Sequence, residues 1–208
     1  MFDKLRKFGV VPVVAVDDVD NGLRLCEALL SGGLPVAEIT FRTEAAADVI
    51  QAASKRFPEL LLGAGTVLTA DQVDRAIQAG ARFAVAPGCN PVVVRAAQRQ
   101  GLPFAPGVCT PSDVERALEL KCKMLKFFPA EASGGVPMLK ALIGPYGHTG
   151  IGFCPTGGVT IANMKDYLAL PQVAFVGGTW IAKSDLVKKG DWEGIGELAR
   201  QAVEAARR

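Results

Sequence analysis

Histidine is nearly absent: His148 is the only one in 208 residues. A metal centre built on several imidazoles is therefore ruled out, although a site made of carboxylates alone is not. Cysteine is scarce as well, with five residues at 26, 89, 109, 122 and 154 and no CxxC spacing. An odd, dispersed set reads as reduced thiols serving as small apolar residues in a cytosolic protein. Charge of one sign is not concentrated anywhere. The 23 basic and 21 acidic residues leave a net charge of +2, so nucleic acid and anionic membrane are poor candidates for the main partner. Long hydrophobic runs are missing too, and nothing approaches the ~18 residues of a membrane span. The opening "MFDKLRKFGVVPVVAV" has a basic start and a short apolar run. Asp3 interrupts the basic part, Pro12 breaks the run, and no small-x-small cleavage site follows, so it reads as a short helix and a buried strand. The expected location is the cytoplasm.

What the chain does have is alternation. Half of its residues are hydrophobic, enough for a substantial core. Strand candidates fall at 10–16, 34–41, 60–65, 82–86, 102–105, 121–128, 151–155 and 173–177. Helical stretches rich in Ala, Leu, Glu, Arg and Gln lie between them, among others at 20–31, 44–56, 70–79, 91–100 and 111–120. Thr69 with Gln72, and Thr110 with Pro111, are plausible helix starts. About eight strand–helix units and no linker predict one domain over 1–208, a parallel (β/α)8 TIM barrel with residues 1–8 as a short helix over its N-terminal mouth. An open doubly wound sheet is the rival, but it usually carries a GxGxxG turn or a P-loop. "GAGTVL" (63–68) keeps only the first two glycines.

A barrel directs attention to the C-terminal ends of its strands. In "EITFR" (38–42), alternation puts Glu38, Thr40 and Arg42 on one face, rising along the lumen. The bland alternative is a Glu38–Arg42 ion pair that only ties the rim. In "KMLKFF" (123–128) the same rule aims Lys126 into the lumen with Met124 and Phe128, while Leu125 and Phe127 face the helices. Snorkelling is the usual fate of a lysine, but a lumen-facing one has little to reach except the site. Burial and a nearby Arg42 would both favour the neutral amine, which attacks carbonyl carbon to form a Schiff base. "PTGGVT" (155–160) and "GGTW" (177–180) follow the last two strands, where barrels bind phosphate, and their backbone N–H groups can close on an anion. Thr66 offers a hydroxyl at the end of strand three. The "APG" turns at 86–88 and 105–107 are small enough to leave room for ligand, with Pro87 in the wall of the site. Cys154 reads as core, His148 as exposed, and one of Asp17 and Asp18 as a helix cap.

The motifs "EITFRT", "GAGTVL", "KFFPAE", "CPTGG" and "GGTW" together resemble those of the 2-keto-3-deoxy-6-phosphogluconate (KDPG) aldolase and 4-hydroxy-2-oxoglutarate aldolase family. The likeness runs from about residue 8 to the C-terminus. It implies a class I aldolase of the Entner–Doudoroff route, a homotrimer that yields pyruvate and glyceraldehyde 3-phosphate without metal or cofactor. By motif, Lys126 would form the Schiff base and Glu38 would move protons. Arg42, Thr66 and Thr156 would hold the pyruvate carboxylate, and Gly157, Gly158, Gly178 and Thr179 the phosphate. Pro87 and Phe128 complete the expected substrate-binding set. Thr179 departs from the family's usual serine while keeping the hydroxyl. A phosphosugar isomerase or epimerase, in which Lys126 acts only by charge, and a non-catalytic phosphometabolite-binding barrel are the alternatives.

Overall fold

Short apolar runs, each closed by a turn and followed by a capped helix, give the chain its alternating course. In the computed structural model, which describes residues 1–207, α1 (Phe2–Arg6), β1 (Val10–Val14), α2 (Val19–Ser31), β2 (Val36–Thr40) and α3 (Ala46–Arg56) come first. They are followed by β3 (Leu61–Gly65), α4 (Ala70–Ala79), β4 (Phe83–Val85), α5 (Pro91–Arg99), β5 (Phe104–Ala105), β6 (Gly107–Val108) and α6 (Pro111–Glu119). The last part holds β7 (Met124–Phe127), α7 (Gly135–Tyr146), a 3₁₀ turn (Gly147–Thr149) and β8 (Gly152–Phe153). Then come α8 (Met164–Leu168), β9 (Val176–Gly178), α9 (Ser184–Lys189) and α10 (Trp192–Ala206).

The caps explain several helix starts. Asp18 accepts from the backbone of Asn21 at α2, and Thr69 from Gln72 at α4. Thr110 and Asp113 exchange side-chain and backbone hydrogen bonds in a capping box at α6, with Pro111 next to the cap. Each helix lays a small apolar face on the strands: α4 buries Val73, Ala76 and Ala79. Such alanines let helices approach the sheet closely, while each buried Val, Leu or Ile contributes roughly 1.5–3 kcal/mol.

All strand pairs are parallel. One sheet has the order β5-β4-β3-β2-β1-β9 and a second the order β6-β7-β8. The sheets are linked at both ends. Pro106 alone separates β5 from β6, and parallel bridges join Phe153 to Val173 and Thr156 to Gly177. Leu5 of α1 is fully buried, and Phe2 meets Phe83 edge-on and stacks on Phe175, so α1 packs on the strands.

Three departures from the expected pattern have local causes. Nine strand segments in two sheets replace eight in one, because Pro106 has no N–H to give a ladder and splits the fifth strand. Residues 121–123 are not strand: the N–H groups of Lys121 and Cys122 close the end of α6 on Leu118 and Ala117, with Lys121 left-handed at φ 60°. Likewise Leu34 is used to close α2 on Leu29, so the second strand starts at Val36 rather than 34.

Candidate active site

Strands buried on both faces should be apolar throughout. Against that background the buried residues classed as polar or charged among those described are Glu38, Thr40, Lys126 and Thr156, each no more than 4% exposed. Alternation turns Glu38 and Thr40 of β2 and Lys126 of β7 to the interior, and Thr156 follows β8 at the bridge to Gly177. Lys126 Nζ donates to Glu38 Oε1 at 3.1 Å. Their strands are not neighbours in either sheet, so this contact runs between the two sheets rather than along one. The Glu38–Arg42 pair weighed above does not form. Arg42 is exposed and turns its Nε to Thr40 Oγ1 at 3.3 Å, and Thr40 in turn donates to the carbonyl of Val14.

Around Lys126 the expected residues converge by short steps. Its Nζ lies 5.5 Å from the Phe128 ring centroid. Gly107 is its partner in register, and a Cβ on Gly107 would lie 2.0 Å from the carbonyl oxygen of Pro87, which places that proline in the wall beside the lysine strand. The loop after β7 is stitched to the glycine turn after β8 by Ala130 N to Thr156 O at 2.8 Å and Glu131 N to Gly157 O at 3.0 Å. A Cβ on Gly157 (φ 97°) would meet Phe128 and Pro129, and one on Gly158 (φ 80°) would meet Glu131; both positions of this turn need the left-handed backbone that glycine supplies. Thr156 bridges to Gly177, which brings Gly178 and the exposed Thr179 to the same rim. On the far side, Gly65 pairs with Thr40, and Thr66 follows with φ 55°. A threonine held left-handed at a strand end carries strain of the kind found at ligand sites.

Cys154 is part of the same interior. Its Sγ is 3.5 Å from the Leu125 carbonyl. Burial pushes its thiol up to about 12, with the charge of Lys126 opposing and that of Glu38 adding, which marks it as a neutral neighbour of the pair. Tyr167 and Glu131 were not singled out by sequence. Tyr167 is fully buried and donates its hydroxyl to Glu131 Oε1, and burial followed by that bond pushes the phenol upward. No spacing rule links residues 131 and 167. A recess of about 360 Å³ lined by Asp17, Asp18, Asn21, Arg42, Thr43 and Lys188 shares only Arg42 with the expected set. Asp18 spends its carboxylate on capping α2, and His148 is exposed.

A buried amine in contact with a buried carboxylate can attack carbonyl carbon and pass protons, which is the equipment of a Schiff-base enzyme. Comparison with known proteins narrows the class. Residues 1–198 match the family "Aldolase: KDPG and KHG aldolase". The chain is 47% identical over 204 residues to a 2-dehydro-3-deoxy-phosphogluconate aldolase of Haemophilus influenzae, covering 98% of this chain and 95% of that one. It is 43% identical over 198 residues to the KHG/KDPG aldolase of Escherichia coli, covering 95% and 92%. A KDPG aldolase of Legionella pneumophila, solved with pyruvate captured as a covalent carbinolamine, superposes with a TM-score of 0.91 at 39% identity over 96% of this chain and 97% of that one. The chain belongs to the KDPG and KHG aldolase family.

Proposed function

We propose that this protein is a class I aldolase that cleaves 2-dehydro-3-deoxy-6-phosphogluconate to pyruvate and glyceraldehyde 3-phosphate, and that it also acts on 4-hydroxy-2-oxoglutarate. The observation that carries this reading is the buried 3.1 Å contact between Lys126 and Glu38. A proton passing from the ammonium to the carboxylate across it yields a neutral amine and a loaded acid with no change in total charge. That exchange suits a low-dielectric interior. Lys126 then adds to the C2 ketone, and Glu38 returns its proton to the carbinolamine hydroxyl, which leaves as water; an iminium that acts as electron sink and a free carboxylate remain. Glu38, directly or through a water, takes the proton of the C4 hydroxyl as the C3–C4 bond breaks and the aldehyde leaves. The enamine is protonated at C3, and water releases pyruvate and restores the amine. These steps call for neither metal nor cofactor.

In this reading Arg42, Thr66 and Thr156 hold the carboxylate, while Gly157, Gly158, Gly178 and Thr179 hold the phosphate against Pro87 and Phe128. The left-handed glycines at 157 and 158 support the second assignment. The described residues, 1–207, are read as one domain; the expected boundary at 208 lies outside them. Its nine strand segments make a closed eight-stranded barrel, β5 and β6 sharing one position; the bridges at Phe153–Val173 and Thr156–Gly177 support closure. A homotrimeric cytoplasmic enzyme of the Entner–Doudoroff route completes the proposal; among the described residues no helix is long and apolar enough to cross a membrane. Pyruvate release from the phosphorylated gluconate, its galactonate epimer and 4-hydroxy-2-oxoglutarate, compared as kcat/KM, tests it. Release from none of the three would overturn it.

A further inference from the structure

The C-terminal end of β3 reads Gly63-Ala64-Gly65, with both glycines on the interior face. A Cβ built on Gly63 would lie 2.2 Å from the Phe83 ring. One built on Gly65 would lie 2.2 Å from Glu38 Oε1, 2.7 Å from its Cγ and 2.8 Å from its Cδ. The oxygen it would strike is the one that accepts from Lys126 Nζ. Glu38 pairs in register with Gly63, so its side chain leans along the strand direction into the space left bare two residues further up β3. Backbone freedom does not explain the glycine, because Gly65 is not among the residues with positive φ. What a side chain would take away here is the seat of the carboxylate.

We propose that Gly65 is a positioning residue that seats Glu38 against Lys126, a role that rests on the reading of Glu38 as the proton carrier. With a methyl at 65, Glu38 must swing away from the lysine as a whole side chain, since three of its atoms fall inside the contact limit. The three atoms nearest that methyl all belong to the Glu38 side chain, so the geometry of proton transfer is what gives way first. An alanine at 38 lacks Cγ, Cδ and Oε1, the three atoms that a methyl at 65 would strike, so in that background the methyl meets none of them.

The test is a double-mutant cycle on Gly65→Ala and Glu38→Ala, read by kcat, KM and pyruvate trapping with borohydride. Gly65→Ala alone should lose about 100-fold in kcat, the scale of a displacement near 1 Å, with KM little changed and Lys126 still trapped. In the Glu38→Ala background the same methyl should cost less than about threefold, so that the two losses do not multiply. A double variant as slow as the product of the two single losses, or a Gly65→Ala enzyme with normal kcat, overturns the role. Gly63→Ala, which meets Phe83 instead, should cost the same factor in both backgrounds; an effect that vanishes there as well overturns it. Should Gly65→Ala fail to fold, a double variant that folds supports the role and an unfolded one overturns it. A wild-type enzyme that traps pyruvate and cleaves substrate, with multiplied losses in the cycle, removes the role of Gly65 alone. A wild type that does neither removes the aldolase reading and this role with it.

Discussion

Lys126 on β7 and Glu38 on β2 meet across the interior at 3.1 Å, each about 95% shielded from water. Desolvating both groups costs several kcal/mol per ion, and an apolar pair of similar volume is often as stable or more so. The pair is thus a weak device for holding the fold and a good one for chemistry.

Glu38→Gln keeps the shape of the side chain and removes its capacity to carry a proton. Turnover should fall about 10²–10⁴-fold, the usual worth of a general acid–base group, while pyruvate trapping on the enzyme persists. Near-normal turnover would take Glu38 out of the mechanism.

Gly158 holds φ at 80°, and a Cβ there would meet Cβ of Glu131 at 2.6 Å. Gly158→Val should therefore displace the turn and lower kcat/KM for the phosphorylated substrate at least tenfold more than for 4-hydroxy-2-oxoglutarate, which has no phosphate to place. Equal losses on both substrates would make the turn a purely structural one.

Asp113 closes the capping box of α6. Partial burial works to raise its carboxyl, but hydrogen bonds from the Thr110 hydroxyl and from the N–H groups of Cys109 and Thr110, with Arg116 nearby, hold it below the usual 3.8. A group lowered in the folded state contributes stability above its unfolded value and loses it as pH falls through the folded one. Asp113→Asn should cost about 1 kcal/mol at pH 7, measured by urea unfolding, and the gap from wild type should shrink as pH drops below about 3.8. A gap that stays constant or widens on acidification would contradict this.

That a lysine and a glutamate both face the interior was legible in sequence because strand alternation needs no partner to be known: "EITFR" and "KMLKFF" each state a facing, whereas their contact with each other was not. The glycine turn at 157–158 was legible for a similar local reason, but Gly177 and Gly178, expected to form a turn after the last strand, lie within β9 and pair with β1. Gly65 was not legible, because what it accommodates lies 27 positions upstream and reaches it by the lean of a side chain along its strand. The limits of β7 were misread because Lys121 and Cys122 look extended in an alternating run, yet they serve the end of α6. The split at Pro106 was visible as a proline, but its effect depends on which neighbour each half joins, β4 or β7.

The central claim is that Lys126 is the amine that bonds to substrate carbon. Incubation with pyruvate and borohydride, followed by peptide mass analysis, measures it directly. One peptide should gain the mass of reduced pyruvate, with the label on Lys126, while the exposed Lys121 and Lys123 stay unmodified; Lys126→Arg should fold, take no label and lose aldol cleavage. A label on another lysine, or substantial cleavage by Lys126→Arg, would contradict the account.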